Sequence, residues 1–311
     1  MRSYRDSILP LQILFINNMR DTTIFRVAVT GSNGQLGTEF IRLAGNHPGF
    51  HFIFLTREDF PLDQKEKMVN WLKGNPVDIF IHCAAYTAVD KAESEKEKAF
   101  QINGSASGLI ASILSDTSTK LIYLSTDYVF DGNSATPLTE EATTNPVNIY
   151  GASKLEGERL VLQNNPLTQV IRTSWVYSTH GNNFVKTMIR LMMERNSINV
   201  VDDQIGSPTY AGDLAAAIMQ MLETNHFIPG IYHYSNEGEI SWFTFAEEIR
   251  KRTGSNCLVL PIPSSGFPTP AKRPAYSLLD KTKIKKDYGL YIPEWQSSLA
   301  VCIDKLKKNE V

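Results

Sequence analysis

Apolar residues along the chain gather into short runs separated by stretches of helical spacing. Residues 25–30 (FRVAVT) form a run rich in valine that ends in glycines, the pattern of a buried strand. Residues 35–44 follow with Leu36, Phe40, Ile41 and Leu43 at helical intervals. Further strand patterns occupy 50–55, 77–82 (VDIFIH), 120–125 (KLIYLS) and 169–173 (QVIRT), and helical spacing runs over 92–114 and 184–191. Strands alternating with helices predict βαβ units and a mostly parallel sheet. Beyond about residue 175 the apolar stretches shorten and are broken by loops, notably the Pro/Ser-rich segment 261–270 (PIPSSGFPTP).

Composition narrows the classes. The 311 residues suit two domains or one large one, and 42% hydrophobic with 21% charged residues is enough to bury a full core. Lys plus Arg number 31 against 33 Asp plus Glu, a formal charge of -2. Neither nucleic acid nor an anionic membrane is therefore expected as a partner, and any phosphate must be held by a local site. The three cysteines, Cys83, Cys257 and Cys302, form no CxxC pair, which fits reduced thiols in a cytoplasmic protein. The six histidines show no metal-ligand spacing, so no metal site is expected. No run reaches the roughly 18 apolar residues of a membrane span. Residues 8–16 (ILPLQILFI) follow Arg2 and Arg5 as a signal-peptide core does, but Pro10 and Gln12 interrupt them and no small-x-small cleavage site follows. Met19 is an alternative start, and residues 1–23 are expected to lie outside the fold.

The first strand leads into Gly31-Ser-Asn-Gly34-Gln-Leu-Gly37, with a helix behind it. A tight turn, a close backbone approach to a pyrophosphate and close helix–strand packing each need a glycine, and the helix start offers free N–H groups to phosphate. The fold class expected is α/β: a Rossmann-type doubly wound parallel sheet over 24–174, with a smaller α+β domain over 175–311 that holds substrate. Segments near 211–236 are expected to return to the first domain.

The GxxGxxG spacing resembles that of the short-chain dehydrogenase/reductase superfamily, which also demands a Tyr-x-x-x-Lys pair. The chain has one, Tyr150-Gly-Ala-Ser-Lys154. At helical spacing the two side chains lie one turn apart on the same face. A free phenol has a pKa near 10, and a neighbouring ammonium is expected to lower it, making Tyr150 a proton donor and Lys154 its activator and a ribose ligand. The pair follows Ser125-Thr-Asp-Tyr-Val-Phe130, where a hydroxyl at a strand's C-terminal end faces the cofactor crevice. Thr126 is chosen over Ser125 to bind the substrate carbonyl, because strand alternation points only one of them into the site. Glu93-Ser-Glu-Lys-Glu-Lys98 reads as a solvated helix face.

Segments 84–93 (AAYTAVDKAE), 125–130 (STDYVF), 172–177 (RTSWVY), 181–184 (GNNF), 203–209 (DQIGSPT) and 273–280 (RPAYSLLD) together resemble the dTDP-4-dehydrorhamnose reductase family, from about residue 25 to 305. The resemblance implies reduction of the C4 ketone of a dTDP-linked 4-keto-6-deoxyhexose, with Tyr150, Lys154 and Thr126 as the catalytic set. It implies that Gly34, Gln35 and Leu36 cradle the pyrophosphate, that Asp63 accepts from the adenine amino group, and that Ala84, Ala85 and Tyr86 line the nicotinamide side with Thr87 near the phosphates. Thr126 and Asp127 are expected on the sugar, with Trp175 packed against it and Val89 and Tyr128 in the same pocket. Arg273 is expected to neutralise the substrate diphosphate, Asn183 to hold an anion at a helix start and Gln204 to bond sugar or base. Some relatives dimerise through a metal bridged by glutamates, and Glu39 and Glu194 occupy similar places, so monomer and homodimer are both expected possibilities.

Where a carboxylate at the end of the second strand would repel a 2′-phosphate, this chain has Thr56 and Arg57, which predicts NADPH in preference to NADH. Two other readings compete. A nucleotide-sugar epimerase or dehydratase with permanently held NAD shares the glycine turn and the pair, but a dehydratase needs a second acid where Tyr128 follows Asp127. A non-catalytic regulatory subunit on the same fold is disfavoured by the intact Thr126, Tyr150 and Lys154.

Overall fold

β1 (Phe25–Thr30), β2 (Phe50–Leu55), β3 (Ile79–His82), β4 (Lys120–Thr126) and β5 (Thr168–Thr173) lie parallel in one sheet. The structure, a computed structural model, describes residues 24–224 and 226–309, so the expectation for residues 1–23 lies outside the described residues. A sixth strand, Gly230–Tyr234, pairs with β5 and completes the order Gly230–Tyr234, β5, β4, β3, β1, β2. The register aligns Thr30 with His82 and Thr126 with Thr173, so the C-terminal strand ends share one rim. The central strands are buried on both faces, which explains the apolar runs of β3 and β4, while β5 carries Gln169 and Arg172 buried among its apolar residues.

Helices cover both faces. α1 (Gln35–Ala44) and α2 (Lys65–Gly74) follow β1 and β2. The expected helix over 92–114 is broken into α3 (Val89–Ala92), α4 (Lys96–Phe100), a π turn (Gln101–Ser105) and α5 (Ala106–Leu114). The π turn is where Asn103 turns its amide inward, and local widening of this kind recurs at functional sites. α6 (Ile149–Asn164) packs on α5, where a Cβ on Gly108 would lie 2.9 Å from Leu160.

The later half of the chain builds a second apolar cluster around Tyr177, Val185, Phe245, Ile249, Trp295 and Leu299. α7 (Phe184–Glu194), α8 (Ala211–Glu223) and α9 (Trp242–Thr253) arise here, with short strand pairs between them. α8 does not join that cluster; it packs against α1 within the core of the large sheet. Residues 284–292 also return there through Ile284, Tyr288, Leu290 and Ile292, a contribution the sequence reading did not include. No helix among the described residues is long and apolar enough to cross a membrane.

Candidate active site

The strand rim opens into a cleft of about 540 Å³. Gly31 ends β1 at a φ of 66°, and a Cβ there would lie 2.9 Å from the Ala84 backbone. A Cβ on Gly37 would lie 2.3 Å from the Gly31 carbonyl oxygen, so α1 seats directly on the strand end. Gly34 starts α1 without a side-chain cap, and Gly34, Gln35 and Leu36 line the cleft with the positive end of the helix. These features fit a dinucleotide whose pyrophosphate rests on the turn.

Ala84, Ala85, Tyr86 and Thr87 line the same cleft. A residue missed from sequence holds them: buried Asn103 accepts from the Tyr86 N–H at 2.8 Å, donates back to the Tyr86 carbonyl at 3.0 Å and donates to Ser153 Oγ at 2.9 Å. Behind them Thr30 Oγ1 meets His82 Nδ1 at 2.8 Å, and His82 Nε2 meets Ser107 Oγ at 3.2 Å. Burial, then the Lys154 charge, pushes His82 down to about 3, so it is a neutral structural link. Lys98 also lines the cleft, its ammonium 5.7 Å from the Tyr86 ring centre. Residues 93–98 are exposed or half-exposed, as a solvated face, and Lys98 pairs with Glu95 at 3.1 Å.

Thr56, Arg57 and Asp63 stand together at one end. Thr56 donates to Asp59 from its N–H at 2.9 Å and its hydroxyl at 2.7 Å, which holds the Asp59 carboxyl below its usual range. Arg57 pairs with Asp63 at 3.0 Å. The Asp63 carboxylate expected on the adenine amino group is thus already engaged by a guanidinium, because six residues of chain bring the two side by side. A depression of about 530 Å³ adjoins this end, and Lys67 lines it with Arg57, Glu58 and Gln64.

Tyr150 enters on the first turn of α6, which Asn148 caps by accepting from the Gly151 N–H at 2.7 Å. Lys154 follows one turn later and is 2% exposed. Another turn on, Glu158 accepts from Ser125 Oγ at 2.5 Å and pairs with buried Arg172 at 2.7 Å. Burial pushes Tyr150 up to about 12, against a hydrogen bond with Thr126 that pulls it down. Burial pushes Lys154 down to about 7, against the Glu158 carboxylate. The expected lowering of the phenol pKa by its lysine is therefore not met: desolvation outweighs the Thr126 hydrogen bond, and the Asp127 charge adds to it, which keeps Tyr150 protonated. Ser125 lines the cleft while Thr126 reaches Tyr150, so strand alternation does not choose between them. The chain turns into a 3-10 helix (Asp127–Val129) immediately after β4, with Thr126 Oγ1 accepting from the Tyr128 N–H at 3.2 Å.

The expected substrate residues divide. Asp127 is buried, accepts from Thr126 Oγ1 at 3.0 Å and leaves Oδ2 without a partner among the described residues. Burial raises its carboxyl to about 6, against hydrogen bonds from Ser277 and Thr126. Tyr128 meets Tyr150 edge to face at 5.8 Å. Val89 begins α3 next to Asp90, which binds Arg273 at 3.0 Å. Arg273 also donates to Thr269 Oγ1 at 2.5 Å and the Ala271 carbonyl at 3.1 Å, so it straps the Pro-rich loop to α3. Trp175 is the only non-glycine among the described residues with positive φ, at 47°, and stacks on Trp242 at 3.6 Å. Such strain is held in place only by its surroundings and marks functional loops. Asn183 caps α7 and donates to Gln35 at 3.1 Å, which places it on the glycine-turn side rather than with Asp127. Gln204 donates to Ser264 at 3.0 Å, away from the cleft lining. The described residues contain no cluster of three or more His, Cys, Asp or Glu able to hold a metal.

Comparison with known proteins matches this arrangement. Residues 25–308 fit the family model described as RmlD substrate binding domain. A dTDP-4-dehydrorhamnose reductase of Sinorhizobium fredii is 41% identical over 282 residues, covering 88% of this chain and 95% of that protein. A solved dTDP-4-dehydrorhamnose reductase of Clostridium acetobutylicum superposes with a TM-score of 0.87 at 37% identity, covering 91% of this chain and 99% of that one. One from Bacillus anthracis, solved in complex with NADP, gives 0.86 at 38% identity, covering 90% and 99%. A dTDP-glucose 4,6-dehydratase of Streptomyces venezuelae shares the fold at 17% identity. This chain belongs to the dTDP-4-dehydrorhamnose reductase family.

Proposed function

We propose that the protein reduces the C4 ketone of dTDP-6-deoxy-L-lyxo-4-hexulose to dTDP-L-rhamnose in the cytoplasm, with NADPH preferred over NADH. The observation that carries this reading is that Tyr150 and Lys154, one helical turn apart, line the same cleft as Gly31, Gly34, Gln35 and Leu36 of the glycine turn. The NADP-bound relative and the reductases of the same name support it.

Bound coenzyme supplies a hydride to the ketone carbon. Tyr150 holds a proton at its phenol oxygen and delivers it to the ketone oxygen as that oxygen gains charge. Burial suits this task, since a phenol raised to about 12 is protonated at neutral pH. Thr126 bonds the same ketone oxygen and fixes its distance from the phenol. Lys154 binds the ribose hydroxyls and stabilises the phenolate left after proton transfer. Asp127, with one oxygen unpartnered, bonds a sugar hydroxyl, and Trp175 gives the deoxysugar an apolar wall. Arg57 and Lys67 receive the 2′-phosphate. Residues 24–174, with 211–236 and 284–292, form the dinucleotide-binding domain, and the remainder of the later half forms the substrate domain.

The test is incubation with dTDP-6-deoxy-L-lyxo-4-hexulose and NADPH, with NMR assignment of the product. Stoichiometric NADPH oxidation and dTDP-L-rhamnose are expected. An isomerised or dehydrated sugar formed without net NADPH consumption would favour the epimerase or dehydratase reading.

A further inference from the structure

Lys154 is a buried lysine that makes no salt bridge among the described residues. The Glu158 carboxylate on its own helix is occupied by Arg172 at 2.7 Å and Ser125 at 2.5 Å. Its Nζ instead lies 4.0 Å from the centre of the Tyr123 ring, close contact for an ammonium over an aromatic face. Tyr123 is the one aromatic residue of β4 (KLIYLST), where its neighbours Leu121, Ile122 and Leu124 are aliphatic. The ring is fixed at both ends. Its hydroxyl donates to the Asn103 carbonyl in the π turn at 3.0 Å, and the ring lies tilted against His82 at 5.8 Å between ring centres. Gly157 makes this seat possible, because a Cβ there would lie 2.2 Å from the Tyr123 hydroxyl oxygen.

We propose that Tyr123 is a positioning residue whose ring face, pinned to the π turn through Asn103 and admitted by Gly157, holds the Lys154 ammonium at the cleft floor. The inference rests on the reading of Lys154 as the ribose- and phenolate-binding cation. Burial alone would favour a neutral amine withdrawn from the cleft; the ring's negative face offsets that cost without a carboxylate that would pull the ammonium away from coenzyme. The other groups around Lys154 leave the ring this role. His82 in β3 is neutral, Cys83 beyond β3 is pushed up by burial and stays a thiol, and Tyr150 stays a phenol. Glu158 is the one charged neighbour among the groups that shift it, and Arg172 shares it.

The test replaces Tyr123 with Phe and then with mono-, di- and trifluorophenylalanine, which keep the ring's shape and drain its face of charge. The ligand-free protein, labelled with 13C-lysine, is titrated by NMR, and the Lys154 signal is assigned by its loss in Lys154→Met. Phe is the reference of the series: it keeps the ring face and loses only the hydroxyl's bond to Asn103. Any shift it causes measures the pin, and the shifts beyond it measure the face. Fluorination is expected to lower it progressively, by about half to one pH unit over the series, a three- to tenfold change in acid dissociation constant. The alkaline limb of kcat/KM for the keto sugar should move in step. A midpoint constant through the series overturns the inference, whatever happens to stability. A midpoint that moves in a protein with no reductase turnover would leave this inference standing and remove the functional reading instead.

Discussion

Replacing Arg57 with alanine isolates the selection of coenzyme. The side chain is 73% exposed and its partner Asp63 35% exposed, so their 3.0 Å pair adds at most about 1 kcal/mol to folding. Its loss should leave thermal stability nearly unchanged. Toward a 2′-phosphate the same guanidinium makes charge-assisted hydrogen bonds of about 1.5–3 kcal/mol, or roughly ten- to hundredfold in affinity. Two features of the adjoining depression reduce that figure. Lys67 remains to meet the phosphate, and Arg57 must first turn from Asp63. We therefore expect Arg57→Ala to lower kcat/KM for NADPH about tenfold, mostly through KM, with kcat/KM for NADH held within about twofold. Arg57→Ala with Lys67→Ala should remove the remaining preference, and added salt should narrow the difference in the native protein. Initial rates with each coenzyme at fixed keto sugar, followed by nicotinamide absorbance, give the ratio. An unchanged NADPH to NADH ratio in the double variant would refute the assignment.

Two further outcomes test other parts of the account. The Asp127 carboxyl is raised from 3.8 to about 6 by burial, so its contribution to stability is present below pH 4 and is lost as pH rises through 6. Asp127→Asn should therefore be as stable as the native protein near pH 4 and more stable at pH 8 by up to about 3 kcal/mol, while losing turnover. Denaturant midpoints at the two pH values measure this, and a difference independent of pH would count against a carboxyl raised by burial. Gly37→Ala places a Cβ 2.3 Å from the Gly31 carbonyl, backbone against backbone, and should cost about 1–3 kcal/mol of stability with loss of NADPH binding by calorimetry. Wild-type affinity there would mean that the turn is not the pyrophosphate cradle.

Much of this site was legible in the sequence because its parts are local. The glycine turn is a backbone requirement written in three residues, and Tyr150 and Lys154 are paired by one helical turn. The runs of β1, β3 and β4 were equally clear, since strands buried on both faces have few polar positions to interrupt them. What stayed hidden depends on where distant segments meet. Asn103 lies in a π turn that breaks a region of helical spacing, and its purpose appears only once Tyr86 and Ser153 surround it. Lys98 looked like one more member of a charge run. The Arg57–Asp63 pair joins residues six apart across a loop, a spacing that announces no contact. The lowering of the Tyr150 pKa expected from Lys154 is not met because pairing is visible in a sequence while desolvation is not. Gln204, Arg273 and Asn183 were polar residues in loops or at a helix start, and each is held by protein partners.

The central claim is that the Tyr150 phenol protonates the sugar oxygen while the coenzyme delivers hydride to the carbon beneath it. Single turnover with NADPH deuterated at the nicotinamide C4, in native protein and in Tyr150→Phe, tests it most directly. The native protein should place deuterium at C4 of the sugar. Tyr150→Phe should bind NADPH as tightly yet transfer deuterium about a hundred- to ten-thousandfold more slowly. Transfer at the native rate without that hydroxyl would contradict the account.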